Sequence, residues 1–205
     1  MVLLLLSTLP MLASAPAKAT GTGKEAEAMF HKIYDMVFGD EGSSLSYSVN
    51  IIGLYKTQGD IIYKAGKIHY MESRYAAWED GKSAYMVDKK KKTVDIYKAD
   101  DDKKDEYLAK FKYDVNNFIF SYTTEGDYYN VRAKVRDGKY FGIREVTAKV
   151  QRKNLYPVSL TIKLAFLRTT VHISKFHPGD INDAVFQFPR KQYADYEFTD
   201  HRNDK

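Results

Sequence analysis

The chain has no cysteine among its 205 residues. No disulfide can staple it, no thiolate can act as nucleophile or metal ligand, and no thiol can carry a lipid anchor. Stability has to come from packing. Long apolar runs are missing as well. Crossing a bilayer takes about 20 consecutive apolar residues, and the longest run, Met1 to Ala13, is shorter and broken by Pro10.

Sequence patterns for chemistry are equally scarce. His31, His69, His172, His177 and His201 form no His-Glu-x-x-His pair and no set with metal-ligand spacing. A strand between His172 and His177 would send the two to opposite faces. Asp100-Asp101-Asp102 with Asp105 and Glu106 lacks the glycine and spacing of a calcium loop. There is no Gly-x-Ser-x-Gly elbow, phosphate loop or Gly-rich dinucleotide turn. We therefore expect no catalytic residue, no metal and no cofactor. Paired carboxylates of the glycosidase kind show no sequence spacing, so a hydrolase with scattered acids stays in view as the minor alternative.

What is present starts with the N-terminus. The Met1 to Ala13 run has the length of a secretory h-region and is followed by small-x-small sites ending at Ala17 and Ala19. The expectation is a signal peptide over 1–19, cut between Ala19 and Thr20, and one domain over 20–205 working outside the cytoplasm. No Lys or Arg precedes the run, as though the true start lay slightly upstream. Lys18 leaves with the signal, lowering the formal charge from +5 to +4.

The 32 basic and 27 acidic residues are interspersed. A nucleic-acid partner would call for clustering on one face, so none is expected. Lys89 to Lys92 is the one dense cluster. Between two strand-like segments it reads as an exposed hairpin tip, with an anionic membrane surface or a partner protein as the alternative.

Seventeen tyrosines and 11 phenylalanines suit half-buried pleated surfaces. Lys24 to Phe38 reads as a helix, with Ala28, Phe30, Ile33, Tyr34 and Val37 near helical spacing and Gly39 ending it. Strands are expected at Ser46–Lys56, Gly59–Lys64, Lys67–Ser73, Tyr75–Glu79, Lys82–Asp88 and Thr93–Lys98. Their short links, Asp80-Gly81 among them, force an antiparallel meander. After the charged break at Asp100–Lys104, one or two short helices are expected over Asp105–Lys112 and Val115–Tyr122. Strands resume at Tyr128–Arg136, Phe141–Val150, Val158–Phe166, Thr169–Phe176 and Ala184–Phe188.

In Val158–Phe166, Val158, Leu160, Ile162, Leu164 and Phe166 alternate with polar residues. One apolar and one polar side mean a single sheet solvated on one face. About ten such strands curl, and two short helices cannot fill the hollow. The expected result is a partly filled apolar trough of at least several hundred cubic ångströms, roughly the size range of ligand sites. The expected lining is Ile61, Tyr63, Met71, Met86, Val94, Ile96, Leu160, Ile162, Val171 and Ile173, joined by Phe118 and Ile119 from the helical segment. Trp78, beside a turn, is either a cavity-mouth residue or a cross-strand partner.

The order of elements resembles the LolA-like periplasmic lipoprotein carriers. Gly59-Asp-Ile-Ile-Tyr-Lys64 and Glu79-Asp-Gly-Lys-Ser-Ala-Tyr-Met-Val-Asp88 are similar to the family's strand and "Asp-Gly-Lys, aromatic, Asp or Asn" hairpin. Asn182-Asp-Ala-Val-Phe-Gln-Phe-Pro189 and Asp200-His-Arg202 are similar to its closing Phe-x-Phe, proline and Asp-x-Arg ending. The resemblance implies a mainly β, α+β fold: one curved antiparallel sheet forming an unclosed barrel lidded by helices. It implies a periplasmic carrier of lipoprotein acyl chains or another lipid, and since a carrier has no evident need to dimerise, a monomer is expected. Its partners would be an inner-membrane release complex and an outer-membrane acceptor. A lipid-sensing or protein-interaction module of the same fold is the alternative. Where the family has arginine in a Lys-Arg-Pro turn, latching the lid, this chain has Ala65 and Gly66. His69 and Met71 stand where aromatic residues are usual.

Overall fold

A computed structural model describes residues 19–51, 55–100, 117–136, 143–164 and 167–203. One helix and one sheet dominate it. A short strand β1 (Ala19–Thr22) leads into α1 (Lys24–Phe38), which begins after Gly23 and ends at Gly39, as the spacing predicts. Its buried side is Ala26, Phe30, Ile33 and Val37, while Ala28 faces solvent. The meander follows as β2 (Ser43–Ile51), β3 (Tyr55–Lys64), β4 (Lys67–Glu72), β5 (Tyr75–Glu79), β6 (Ser83–Asp88) and β7 (Thr93–Lys98). The second meander is β8 (Phe118–Glu125), β9 (Tyr128–Val135), β10 (Ile143–Gln151), β11 (Pro157–Leu164) and β12 (Arg168–Pro178). Two 3-10 turns, Asp183–Phe186 and Arg190–Tyr193, lead to β13 (Glu197–Asp200).

Among the described residues, thirteen strands form one sheet in the order β1-β8-β9-β10-β11-β12-β2-β3-β4-β5-β6-β7-β13, with β1 and β13 at its ends. The sheet is strongly curled. α1 packs against β1, β8 and β9 and also against β2 and β3, although β10, β11 and β12 lie between these groups. With strands about 4.8 Å apart, a flat sheet could not bring both groups to one helix. The hollow side therefore holds the helix.

Several expectations change. The segment expected as the Val115–Tyr122 helix is strand from Phe118 onward: Phe118, Phe120 and Tyr122 are buried and alternate with exposed or half-buried neighbours, which is period two. The Asp105–Lys112 helix lies outside the described residues, as does the expected signal peptide up to Lys18. Ala184–Phe188 is not a strand; Asn182 accepts a hydrogen bond from the Ala184 N–H and starts a 3-10 turn. The closing strand comes later and pairs in parallel with β7, so the sheet is not wholly antiparallel. The first hairpin turns between Ile51 and Tyr55, not between Lys56 and Gly59, and β3 runs through Gly59. His172 and His177 share a face. β12 is bulged between Ser174 and His177, with Lys175 at φ 50°, and both histidines lie across β2 serines, Ser48 and Ser44. The extra residue of a bulge reverses the alternation.

Candidate functional site

Cross-strand partners share a face, so the register sorts the side chains. α1 packs Phe30 and Ile33 onto Phe118, Phe120, Tyr122, Val131, Ala133, Val135, Ala148 and Val150. This fills the hollow over β8, β9 and β10. Further along, Ile68, Ala77 and Met86 form a second cluster with Ile61, Tyr63, Tyr70 and Tyr97. Phe38 meets Tyr63 edge-on at 4.8 Å, tying the helix end to β3. Burial pushes the Tyr63 phenol up to about 12.

Between the two clusters lies the hollow face of β11, β12 and β2. Leu160 pairs with Val171 and Val171 with Val49, while Ile162 pairs with Thr169 and Ile173 with Tyr47. Leu160, Ile162, Val171, Ile173 and Val49 point into the hollow yet are only half-buried. The Thr169 hydroxyl in this strip is buried with no hydrogen-bond partner among the described residues.

One polar group borders the strip. Tyr47, Gly59 and Glu72 lie in register on β2, β3 and β4. The Tyr47 hydroxyl donates to Glu72 Oε1 over the intervening strand. Gly59 permits this: a Cβ there would lie 2.9 Å from Glu72 Cγ and 3.1 Å from Tyr47 Cε1 and would clash with the Met71 carbonyl. Tyr70 stacks on Tyr47 with ring centroids 6.3 Å apart. Burial first, then the bond to Glu72, raises the Tyr47 pKa far above that of a free phenol, so its hydroxyl stays a donor. Tyr47 is 9% and Glu72 6% exposed. Nothing in a linear reading singles out residues so far apart; the glycine inside a strand was the available signal.

The expected lining divides. Ile61, Tyr63, Met86, Phe118, Leu160, Ile162, Val171 and Ile173 share the hollow face by register. Met71, Trp78, Val94, Ile96 and Ile119 stand on the outer face and do not line the hollow. Met71 and Ile119 are 40% and 48% exposed. Trp78, Val94 and Ile96 are buried, but under the chain's C-terminal end. Trp78 meets Phe188 at 5.4 Å and Tyr193 at 5.7 Å, and Tyr85 stacks on Phe188 at 4.5 Å. Lys64 donates to the Ile181 carbonyl, Lys67 pairs with Asp183 and Lys92 with Asp195. The Phe-x-Phe stretch thus belongs to a strap over the back of the sheet, while the Asp-x-Arg stretch continues from β13 at the sheet's edge. Trp78 is a cross-strand partner of His69 and Tyr85, not a mouth residue. His69 stacks on Trp78 at 4.7 Å with both ring nitrogens buried and without partners among the described residues. Burial lowers its pKa.

Two smaller points bear on the same site. In the β6–β7 turn, Lys89 donates to the Glu72 carbonyl and Lys92 holds the strap, which leaves Lys90 and Lys91 as the exposed tip. At the missing arginine, Ala65 links its turn to the helix end by its backbone N–H, which donates to the Gly39 carbonyl at 3.2 Å.

A helix held inside one curled, unclosed sheet, reached through two meanders and closed by a C-terminal strap, is the architecture the order of elements implied. The fold agrees with the unclosed barrel that the resemblance implied. No protein-family model and no curated protein matches the chain. Solved structures do. An uncharacterised conserved protein from Thermus thermophilus matches at TM-score 0.59 and 6% identity, over 86% of this chain and 99% of that one. A LolA superfamily protein from Nitrosomonas europaea matches at 0.41 and 8%, over 80% and 97%. A DUF1329 family protein from Desulfovibrio piger matches at 0.45 and 11%, over 80% and 96%. At such identities a likeness speaks of the fold alone, and the function is argued from this chain's own residues. Among the described residues no helix is long and apolar enough to cross a membrane.

Proposed function

We propose that this protein is a non-catalytic carrier that holds acyl chains, those of a lipoprotein or another lipid, in the hollow beside α1. The observation that carries the reading is the half-buried apolar strip of Leu160, Ile162, Val171, Ile173 and Val49 on the inner face. An acyl chain laid there removes the strip from water, and each methylene buried contributes about 0.8 kcal/mol. The leader-like 1–19 segment supports work in the periplasm, between an inner-membrane donor and an outer-membrane acceptor. A carrier must release its cargo, so a grip built from half-buried contacts suits it better than a sealed cavity.

Native mass spectrometry of the protein from its host, with titration by a fluorescent acyl probe, tests this. Co-purified acylated species and saturable probe binding, lost on Ile162→Asp or Val171→Asp, are expected. A clean apo mass with no probe binding overturns the carrier and favours the interaction module.

A further inference from the structure

One end of the second meander carries charge that its own fold does not neutralise. On the outer face the register sets Ile119, Lys134, Glu145, Lys163 and Arg168 in one row across β8 to β12. Each stands near the end of its strand, so the row marks one rim of the sheet. Glu145 is the row's one carboxylate, and Arg132 from the adjoining row pairs with it at 3.7 Å. Lys149, further along β10, pairs with Glu125. Lys134, Lys163 and Arg168 are exposed and have no ion-pair partner among the described residues. Lys163 and Arg168 even stand directly opposite each other, an arrangement that costs a sheet stability. Arg144, exposed at the β10 bulge, adds a further cation beside Glu145. At the β8 end of the row Ile119 is 48% exposed. We infer that this rim docks reversibly on an anionic phospholipid surface, with headgroup phosphates at Lys134, Arg144, Lys163 and Arg168 and Ile119 in the layer beneath. The inference goes beyond the carrier reading and needs no occupant in the hollow.

The chemistry follows from what these side chains can do. From β8 to β12 the row crosses four strand spacings, roughly 19 Å, which is wider than one small anion. Lysine and arginine stems are long enough to reach past the rim while their heads stay hydrated. Arginine grips a phosphate with two parallel hydrogen bonds, and lysine meets it as a point charge. Isoleucine gains nothing from standing in water, but beside a bilayer it enters the boundary between headgroups and acyl chains. A single-stranded nucleic acid would want aromatic rings for its bases, and the row holds none. Each cation near an anionic surface strengthens binding about fivefold, and the effect fades within a Debye length of roughly 10 Å. A few such charges give a weak, salt-sensitive hold. Ile162 and Thr169 of the inner strip lie at the same end of β11 and β12, so docking brings that end of the hollow to the lipid.

Co-sedimentation with vesicles tests this, using equal parts phosphatidylglycerol and phosphatidylcholine against phosphatidylcholine alone. The unaltered protein should bind the mixed vesicles about tenfold or more better than the neutral ones at low salt. Raising salt from about 0.1 M to about 1 M should abolish the difference. Lys163→Gln with Arg168→Gln should weaken binding to the mixed vesicles about tenfold or more. Its melting temperature should hold or rise, because a like-charge pair has gone. Ile119→Ser should weaken binding about threefold or more with the salt dependence unchanged. Lys90→Ala with Lys91→Ala removes the same charge from another part of the sheet and should change binding by less than about threefold. Equal affinity of the unaltered protein for the two kinds of vesicle overturns the inference. So do equal losses in the two paired variants, which would make the effect one of net charge. Absence of vesicle binding overturns it as well and turns the row toward an acidic protein partner. Affinity for the fluorescent acyl probe, read on the same variants, should not move, so docking and the carrier reading stand or fall separately.

Discussion

Tyr47 and Glu72 join hands across a strand that belongs to neither of them. Their bond passes over Gly59, whose missing side chain is what lets a phenol on β2 and a carboxylate on β4 meet. Gly59→Ala should therefore destabilise the protein by about 1–3 kcal/mol, the usual cost of forcing an extra carbon into a filled site. Tyr47→Phe should cost a similar amount, roughly 1–3 kcal/mol, by stripping a buried carboxylate of a donor. In the double variant the two losses should fall well short of additive, because each breaks the same bridge. Urea unfolding of the four proteins measures this; full additivity would mean that Gly59→Ala leaves the bridge intact.

The back of the sheet gives a pH prediction. His69 is stacked on Trp78 with its nitrogens buried, and burial lowers its pKa from the ordinary 6.5. The charged groups on neighbouring strands and the strap include Asp60, Lys64, Lys67 and Asp183, of which the last three are paired with one another. A histidine with a depressed folded pKa binds its proton more readily when unfolded. Its penalty is thus absent above about pH 6.5 and grows as pH falls through the unfolded value toward the folded one. Melting temperature should drop between about pH 7 and 5 in the natural protein. His69→Phe should flatten that drop. The carboxylates of Asp88 and Asp200, each held near about 2 by its arginine, Arg74 and Arg202, titrate lower and do not enter this window.

The two faces of the sheet should separate binding from folding. Trp78→Ala empties a site packed by Phe188 and Tyr193 and should cost about 3–5 kcal/mol of stability. It should leave acyl affinity of the remaining folded protein unchanged. Ile173→Asp, on the half-buried strip, should do the reverse: a small stability loss and an acyl affinity lower by about tenfold or more. Calorimetry and probe titration on the same samples distinguish the two. A Trp78 variant that binds acyl chains poorly would place cargo on the back.

Of the lysine cluster, only the middle pair is free to face outward. Lys90→Ala with Lys91→Ala should change stability by less than about 0.5 kcal/mol. Lys92→Ala, which removes the 2.7 Å contact to Asp195, loosens the strap and should raise amide exchange in Arg190–Tyr193. If the paired variant also leaves binding to anionic vesicles unchanged, the tip is a solvated turn.

Much of the fold was legible along the chain. The helix ends where Gly39 ends it, and the hairpins at Asp80-Gly81 and Ala65-Gly66 fall at their turn residues. The strip of Leu160, Ile162, Val171 and Ile173 was visible as alternation. Phe118 to Tyr122 was misread because five residues with aromatics at both two- and four-residue spacing satisfy helix and strand alike. Met71, Val94 and Ile96 were assigned to the wrong face for a different reason. A strand with apolar residues on both sides carries no mark of which side is the hollow.

That last decision belongs to the tertiary structure. The residues themselves determined a cysteine-free, mainly β chain with one amphipathic helix and strands apolar enough to curl. Which apolar face stays open and which is sealed depends on where the far C-terminal strap comes to rest, and on α1 lying over β8 to β10 rather than over β11 and β12. The Lys175 bulge and the Tyr47–Glu72 bridge arise the same way, from pairing between strands distant in sequence. Alternation has a period of two residues and records only that two faces differ; burial is conferred by whatever packs against them.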